Sequence, residues 1–345
     1  MNRDQTLHLI AHKLKNLTSD IHSPGLFHGH MGIALFFFHY ARYSASESFE
    51  NMAMEHIEKM QTALNMNSPV DYAEGLSGIG CAIEYLIQNN YIEADSSEIL
   101  CDFDRRLSHC VMYETPDSFC LSDGLSGIGR YFLYRMNSQN NEFPELQHLY
   151  NQETLIHVVN IIENSDLITR MENSTQVPDT ISFLCDAHTY GVCNRKIERC
   201  LSKILLGMRQ EEVPKRLPRN WILAYSKLSS LPQFSVFESK AELLLSTGLN
   251  EAIINLTNKN VIEVDELLWM LKYKNMAQSL EIYRPYLKTA NQLLDNVFEK
   301  YCVLQEASKQ GENLLNDYKG DYARIGLSLI ARNDPQNTNW LNLFF

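Results

Sequence analysis

The sequence has no apolar run long enough to cross a membrane. Its longest dense stretch, Ile33 to Phe38, is far shorter than the roughly 18 residues a spanning helix needs. It does not open on an export signal either. In MNRDQTLHLIAHKLKNL, Leu7, Ile10, Leu14 and Leu17 fall on one helical stripe rather than in an apolar block. Positive charge is scarce. Against 42 Asp and Glu there are only 30 Lys and Arg, a net charge of −12, which argues against phosphate-backbone binding as the main activity. None of the eight cysteines forms a CxxC pair, so they read as reduced thiols filling a core. No alternating strand pattern appears. These absences lead to the expectation of a cytoplasmic all-α protein that binds no nucleic acid and inserts in no membrane.

Glycine is also sparse, and its placement is uneven. Of 15 glycines, nine lie in or just before three related segments. HGHMGIALFFFHYA starts at His28, EGLSGIGCAIEYLI at Glu74 and DGLSGIGRYFLYRM at Asp123. Gly29, Gly75 and Gly124 are 46 and 49 residues apart, a spacing typical of repeats that stack helical hairpins. The repeats therefore cover residues 28–42, 74–87 and 123–136. Further copies are expected near 175, 220 and 269, without glycines, and at DYARIGLSLI from Asp321, which keeps Ile325–Gly326. Between the motifs lie amphipathic helices, such as the one carrying Met52, His56, Met60 and Leu64 on one i, i+4 line. The chain reads as one domain, 1–345, of about seven inner and seven outer helices. The position of the last copy favours closure into a ring over an open solenoid. The glycines are expected to allow positive φ and to bring the backbone close to a neighbour where each inner helix begins.

GLFHGHMGIA, YAEGLSGIG and SDGLSGIGRYFL resemble the repeat motifs of the lanthionine synthetase C-like proteins. The ending IGLSLIARNDPQNTNWLNLFF is similar to that family's terminal repeat. The resemblance implies an α/α toroid of seven helical hairpins. It also implies kinship with enzymes that add Cys thiols to dehydrated Ser or Thr in a peptide. Those enzymes use a zinc ion held by two Cys and one His in the fifth and sixth repeats, and a further His in the fourth. The period sets Asn220 at the first zinc Cys, Trp269 and Met270 at the Cys-His pair, and Thr175 with Gln176 at the fourth-repeat His-Gly step. No Cys or His occurs from Leu201 to Tyr301, so no change of register within those repeats restores the ligands. Zinc is expected to be absent.

Other residues offer rival sites. Cys185, His188 and Cys193, in CDAHTYGVC, form the only tight Cys/His cluster and a weak alternative metal site. The residue before the first motif glycine is His28, Glu74 and Asp123 in turn. In a closed repeat these should converge at one mouth, with His30 and Tyr72 nearby. They then either cap helix N-termini or form a binding or acid/base set, in which Glu74 and Asp123 are the candidate catalytic carboxylates. Trp269, with Trp221 and Met270, is expected in a more apolar opposite wall. The resulting reading is a zinc-free accessory protein that binds a peptide, such as a precursor peptide handled with other maturation enzymes. The alternatives are an enzyme with a relocated site at His28, Glu74 and Asp123 acting on a peptide or carbohydrate, and a zinc cyclase with unrelated ligands.

Overall fold

A computed structural model describes residues 3–17, 21–138, 144–165, 176–207, 219–258, 264–279, 284, 287–296, 321–333 and 338–345. The described residues contain helices and turns but no strand. Thr175 and Cys302 lie outside them. The chain forms two compact units. One comprises Met1–Met66 with Glu242–Phe345, and the other Asn67–Ala241.

In the second unit, α4 (Leu76–Gln88), α7 (Leu125–Met136), α9 (Gln176–Thr189) and α11 (Asn220–Ser229) pack side by side in chain order. Against them lie α6 (Cys101–His109), preceded by the short α5 (Ser96–Ile99), then α8 (Pro144–Asn164) and α10 (Asn194–Gly207). The two layers follow from composition. Helices α4 and α7 are buried nearly all round, as a helix between neighbours must be. By contrast, α10 buries only one stripe, Ile197, Cys200, Leu201 and Ile204.

The first unit joins both ends of the chain. Helix α2 (His30–Ser44) packs on α3 (Glu47–Ala63) and on α15 (Tyr322–Asn333). Helix α15 also touches α1 (Arg3–Leu17) and α13 (Val264–Ser279). Ahead of α13 come α12 (Glu238–Asn258), and after it a helical segment, α14, at 287–296. Arg332 Nε of α15 donates to Asp295 Oδ1 of α14 at 2.9 Å. The segment Asn339–Leu343 is a 3-10 turn. With the two residues that follow, it docks WLNLFF: Trp340 is fully buried, Phe344 rests on Phe27 and Phe345 on Trp269.

The motif glycines serve close approach, not positive φ. Gly29, Gly75 and Gly124 are the N-cap residues of α2, α4 and α7, all with extended backbone (φ −116, −113 and −132). In each repeat the loop ahead folds over the helix start. His30 N donates to Ser23 O at 2.9 Å, Leu76 N to Pro69 O at 2.9 Å and Leu125 N to Ser118 O at 3.0 Å. The serine of the second and third motifs repeats the step, Ser77 Oγ to Val70 O and Ser126 Oγ to Phe119 O. A Cβ on Gly124 would meet the Ser118 carbonyl well inside contact distance. Gly124→Ala is therefore expected to cost about 1–3 kcal/mol through forced backbone displacement. A denaturant midpoint equal to that of the parent protein would overturn this account.

A second regularity fixes the register. The third glycine of a motif receives the aromatic ring of the next inner helix: Gly80 faces Tyr131, Gly129 faces Phe183 and Gly326 faces Phe36. Tyr131 and Phe36 each follow their motif's first glycine by seven residues, and Phe183 follows Gln176 by seven. Gln176 thus takes the place of the fourth motif's glycine, as the period predicts.

Candidate functional site

The residues ahead of the motif glycines are not helix caps. Gly75 and Gly124 hold the N-cap positions, and no side chain caps either helix. Loop carbonyls already satisfy the first N–H groups, so a carboxylate is not needed there. The backbone N–H of Glu74 donates to Asp71 Oδ1 at 2.8 Å. Exposed Asp123 accepts from the Ser118 and Ser122 hydroxyls, both at 3.1 Å. The two loops are neighbours, because Tyr72 N and Ala73 N both donate to Ser122 O. His28 belongs to the other unit. There Arg324 Nη2 donates to its Nε2 at 3.2 Å, while Arg324 Nη1 holds Asp265 Oδ1 at 3.0 Å and Nη2 also meets Asp321.

His30 and Tyr72 are core residues, not exposed ligands. His30 Nδ1 lies 3.0 Å from His56 Nδ1 of α3, and both rings are buried. One nitrogen must donate and the other accept, so the accepting ring is a neutral imidazole. Burial, His30 and Lys59 hold His56 down at about 3. Tyr72 is fully buried, with the Arg130 guanidinium 5.9 Å from its ring centre.

The alternative metal cluster does not assemble. Cys185 is buried, and burial pushes its thiol up to about 12. His188 Nε2 is engaged with Glu198 Oε1 at 3.0 Å. Burial also raises the Cys193 thiol. Among the described residues no group of three His, Cys, Asp or Glu is arranged to hold a metal ion.

The positions to which the resemblance assigns zinc ligands hold no suitable donors. Asn220 opens α11 and commits its amide to Asp179 Oδ1 at 2.6 Å. Helix α13 begins at Val264, which sets Trp269 and Met270 in its second turn rather than at its entry. Trp269 packs edge-on against Phe345 at 4.6 Å and tilts on Tyr273 at 5.7 Å. Met270 is buried. The segment just ahead of α13, 259–263, lies outside the described residues and contains neither Cys nor His. A carboxamide, an indole and a buried thioether supply neither thiolate nor imidazole. The residues present do not fit the ion.

The glycine-poor repeats contain charge where an apolar wall is expected. Asp186 of α9 receives Lys227 Nζ of α11 at 2.6 Å and lies 3.5 Å from Arg130 Nη2 of α7, both on Oδ2. Arg130 is buried, whereas the other two side chains remain partly open, 30% for Asp186 and 21% for Lys227. Burial nonetheless lowers the Lys227 ammonium pKa, and Asp186 opposes that shift. The phenol of Tyr190 receives Asn137 Nδ2 at 2.5 Å beside this set, and the charge of Asp186 reaches both Tyr134 and Tyr190. The sequence signal was available: Arg130 directly follows GLSGIG, and Lys227 lies in the largely apolar NWILAYSKL. An ionisable residue on a helix buried nearly all round needs a partner or a task.

A second charged set, around Arg135, is closed. Its Nε and Nη2 donate to Asp104 Oδ1 and Oδ2 at 3.0 and 2.9 Å, and Nη1 reaches Glu84 Oε2 at 2.8 Å and Ser96 Oγ at 2.9 Å. Tyr131 and Gln147 complete the shell of Asp104 at 2.5 and 2.9 Å. The Arg135 and Glu84 side chains are wholly buried. This set ties α4, α5, α6, α7 and α8 together and is structural.

Comparison with known proteins supports the fold reading. The family model described as lanthionine synthetase C-like protein matches residues 20–182. No curated protein sequence matches the chain. Among solved structures, nisin cyclase is similar with a TM-score of 0.60 and 14% identity, over 94% of this chain and 98% of that one. A likeness at that identity speaks for the fold, the all-helical α/α class expected from the repeats. The glycine motifs and the family model over residues 20–182 agree in making this part of the chain similar to lanthionine synthetase C-like proteins, and the solved structure extends the likeness in fold to most of the chain.

Proposed function

We propose that this protein binds a peptide in a peptide-modification system and forms no thioether itself. The observation that carries this reading is the donor set at the expected zinc positions, with the Asn220 amide committed to Asp179 and Trp269 packed on Phe345. Catalysis of thiol addition by the implied route requires a metal-bound thiolate, and these side chains cannot hold the metal. The relocated acid/base alternative is less well supported. Asp123 is already held by two hydroxyls, and His28 is tied to Arg324 in the other unit. A precursor peptide and other maturation enzymes are the proposed partners, in the cytoplasm. No helix among the described residues is long and apolar enough to cross a membrane.

The test uses untagged full-length protein, excess zinc and a synthetic peptide carrying one cysteine and one dehydroalanine. Binding of the fluorescent peptide is expected to saturate, with no loss of free thiol beyond the uncatalysed rate. Zinc-dependent thiol consumption at a catalytic rate would overturn the zinc-free reading. A peptide that fails to bind at millimolar concentration would remove the binding role.

A further inference from the structure

The segment that carries Phe344 and Phe345 is itself a peptide seated on a prepared surface. Phe344 rests on Phe27 with ring centres 5.4 Å apart, and Phe345 meets Trp269 edge-on at 4.6 Å. Lys272 Nζ stands 5.5 Å from the Phe345 ring centre and donates to Asn342 Oδ1 at 3.0 Å. All these residues belong to one unit. The segment is held in two ways. Trp340, Leu341 and Leu343 are sealed, whereas Phe344, Phe345 and Trp269 keep an edge in solvent, at 7, 8 and 8%. The sealed residues anchor the segment in the core, and the aromatic pair lies at its rim.

The surface under that pair is held by packed elements. Phe27 stands in the loop ahead of α2, which is pinned to the helix start by His30 N to Ser23 O at 2.9 Å and Met31 N to Pro24 O at 3.2 Å. The Arg324 guanidinium lies 5.8 Å from the Phe27 ring centre. Trp269 and Lys272 are three residues apart on α13, so one face of the helix presents both. Tyr273 backs the indole at 5.7 Å. A phenyl ring, an indole and an ammonium fixed in this way suit the aromatic anchors of a peptide, which bind best to preformed partners. Lifting the two tail rings would leave these faces in water, so the surface favours an aromatic occupant over none.

We propose that Phe27, Trp269 and Lys272 form the docking surface for a peptide with adjacent aromatic side chains, and that Phe344 and Phe345 are its resident competitor, which lifts off for such a peptide while Trp340 stays buried. The proposal rests on the peptide-binding reading and names the side chains that peptide must present. The tail shows the chemistry of the occupant, because its rings already make the contacts a bound peptide would make. Tethered by a short link, it competes at a millimolar effective concentration. A peptide that offers only the same contacts must exceed that concentration, whereas one with further contacts displaces the tail below it. The arrangement thus excludes stray aromatic side chains and admits a peptide recognised at more than one place.

The experiment uses the full chain labelled with 5-fluorotryptophan. The chain has three tryptophans, and the fluorine signal of Trp269 is identified by its loss in Trp269→Phe. The probe is N-acetyl-Asn-Leu-Phe-Phe amide, and its twin has serine in place of both phenylalanines. In the double variant Phe344→Ser/Phe345→Ser, the probe is expected to move the Trp269 signal saturably and the twin to leave it in place. The unsubstituted protein should need at least about tenfold more probe for the same shift, because its own tail competes. Thermal unfolding shows whether the variant is folded. If it is not, the unsubstituted protein decides the matter, by a Trp269 shift with probe in millimolar excess and none with the twin. A Trp269 signal unmoved by the probe in the folded variant overturns the proposal, as does equal affinity of the two proteins. The cysteine and dehydroalanine peptide is then added with and without a Phe-Phe step. If both forms bind equally and leave Trp269 unmoved, the docking surface falls and the peptide-binding reading survives. If the probe moves Trp269 while neither longer peptide binds, that reading falls and the surface stands.

Discussion

Replacing Arg135 by Met should destabilise the protein by about 3–5 kcal/mol, because it leaves two buried carboxylates without a cation. Among the described residues Arg135 is the positive group that bridges Asp104 and Glu84, and it also holds Ser96. The methionine fills most of the volume, so the loss is electrostatic rather than a cavity effect. Adding Glu84→Gln to Arg135→Met should recover part of the loss, since it removes one stranded charge. Urea unfolding monitored by circular dichroism measures both. A loss below about 1 kcal/mol, the scale of an exposed pair, would mean that the Arg135 set is not the hub of its unit.

The second large effect concerns acid. Burial, with Arg42, holds His39 down at about 3, and burial, with His30 and Lys59, does the same to His56. In the unfolded chain each ring titrates near its ordinary value of about 6.5. Below that pH the unfolded state takes up protons that the folded state refuses, so stability falls as pH falls. It is complete above about 6.5 and lost progressively toward 3. Each ring contributes a slope of about 1.4 kcal/mol per pH unit within that window. Unfolding free energies at pH 7, 6, 5 and 4.5 should trace this decline, and His39→Phe should remove about half of the histidine contribution to the slope. A profile flat from pH 7 to 5 would show that these rings are protonated in the folded state.

Much of the fold was legible because glycine marks geometry that other residues cannot supply. The steps at Gly29, Gly75 and Gly124 gave the positions where α2, α4 and α7 begin, and Ile325–Gly326 gave α15. Of the two reasons read for them, one holds. The backbone does come close, since the missing Cβ lets a loop carbonyl lie over the helix start, but these glycines do not take positive φ. The sixth repeat was harder. Without glycine, the period alone set the motif at Trp269, five residues past the start of α13. The ion-paired set around Asp186 was not read at all. Asp186 lies 56 residues after Arg130 and 41 before Lys227, and the three carry no common motif. Only the adjacency of α7, α9 and α11 brings them together, and that adjacency is a property of the repeat rather than of any one segment. His30 misled for the opposite reason. It stands in a motif loop, but the first turn of α2 carries it inward to His56.

The unit that joins Met1–Met66 to Glu242–Phe345 has a consequence for how the protein is made. Phe36 is fully buried, and its ring rests on Gly326, which is translated 290 residues later. A growing chain therefore leaves the Phe36 side of α2 without this cover until those 290 residues have been made. The stretch Asn67–Ala241 is contiguous and can condense as soon as it emerges. The first hairpin must wait for the last. Closing a loop of that length is entropically only modestly harder than closing a shorter one, so the delay is one of time more than of free energy. The order of assembly is thus inverted with respect to the order of translation: the stretch 67–241 settles before the first hairpin, whose packing is completed only by residues made after that stretch.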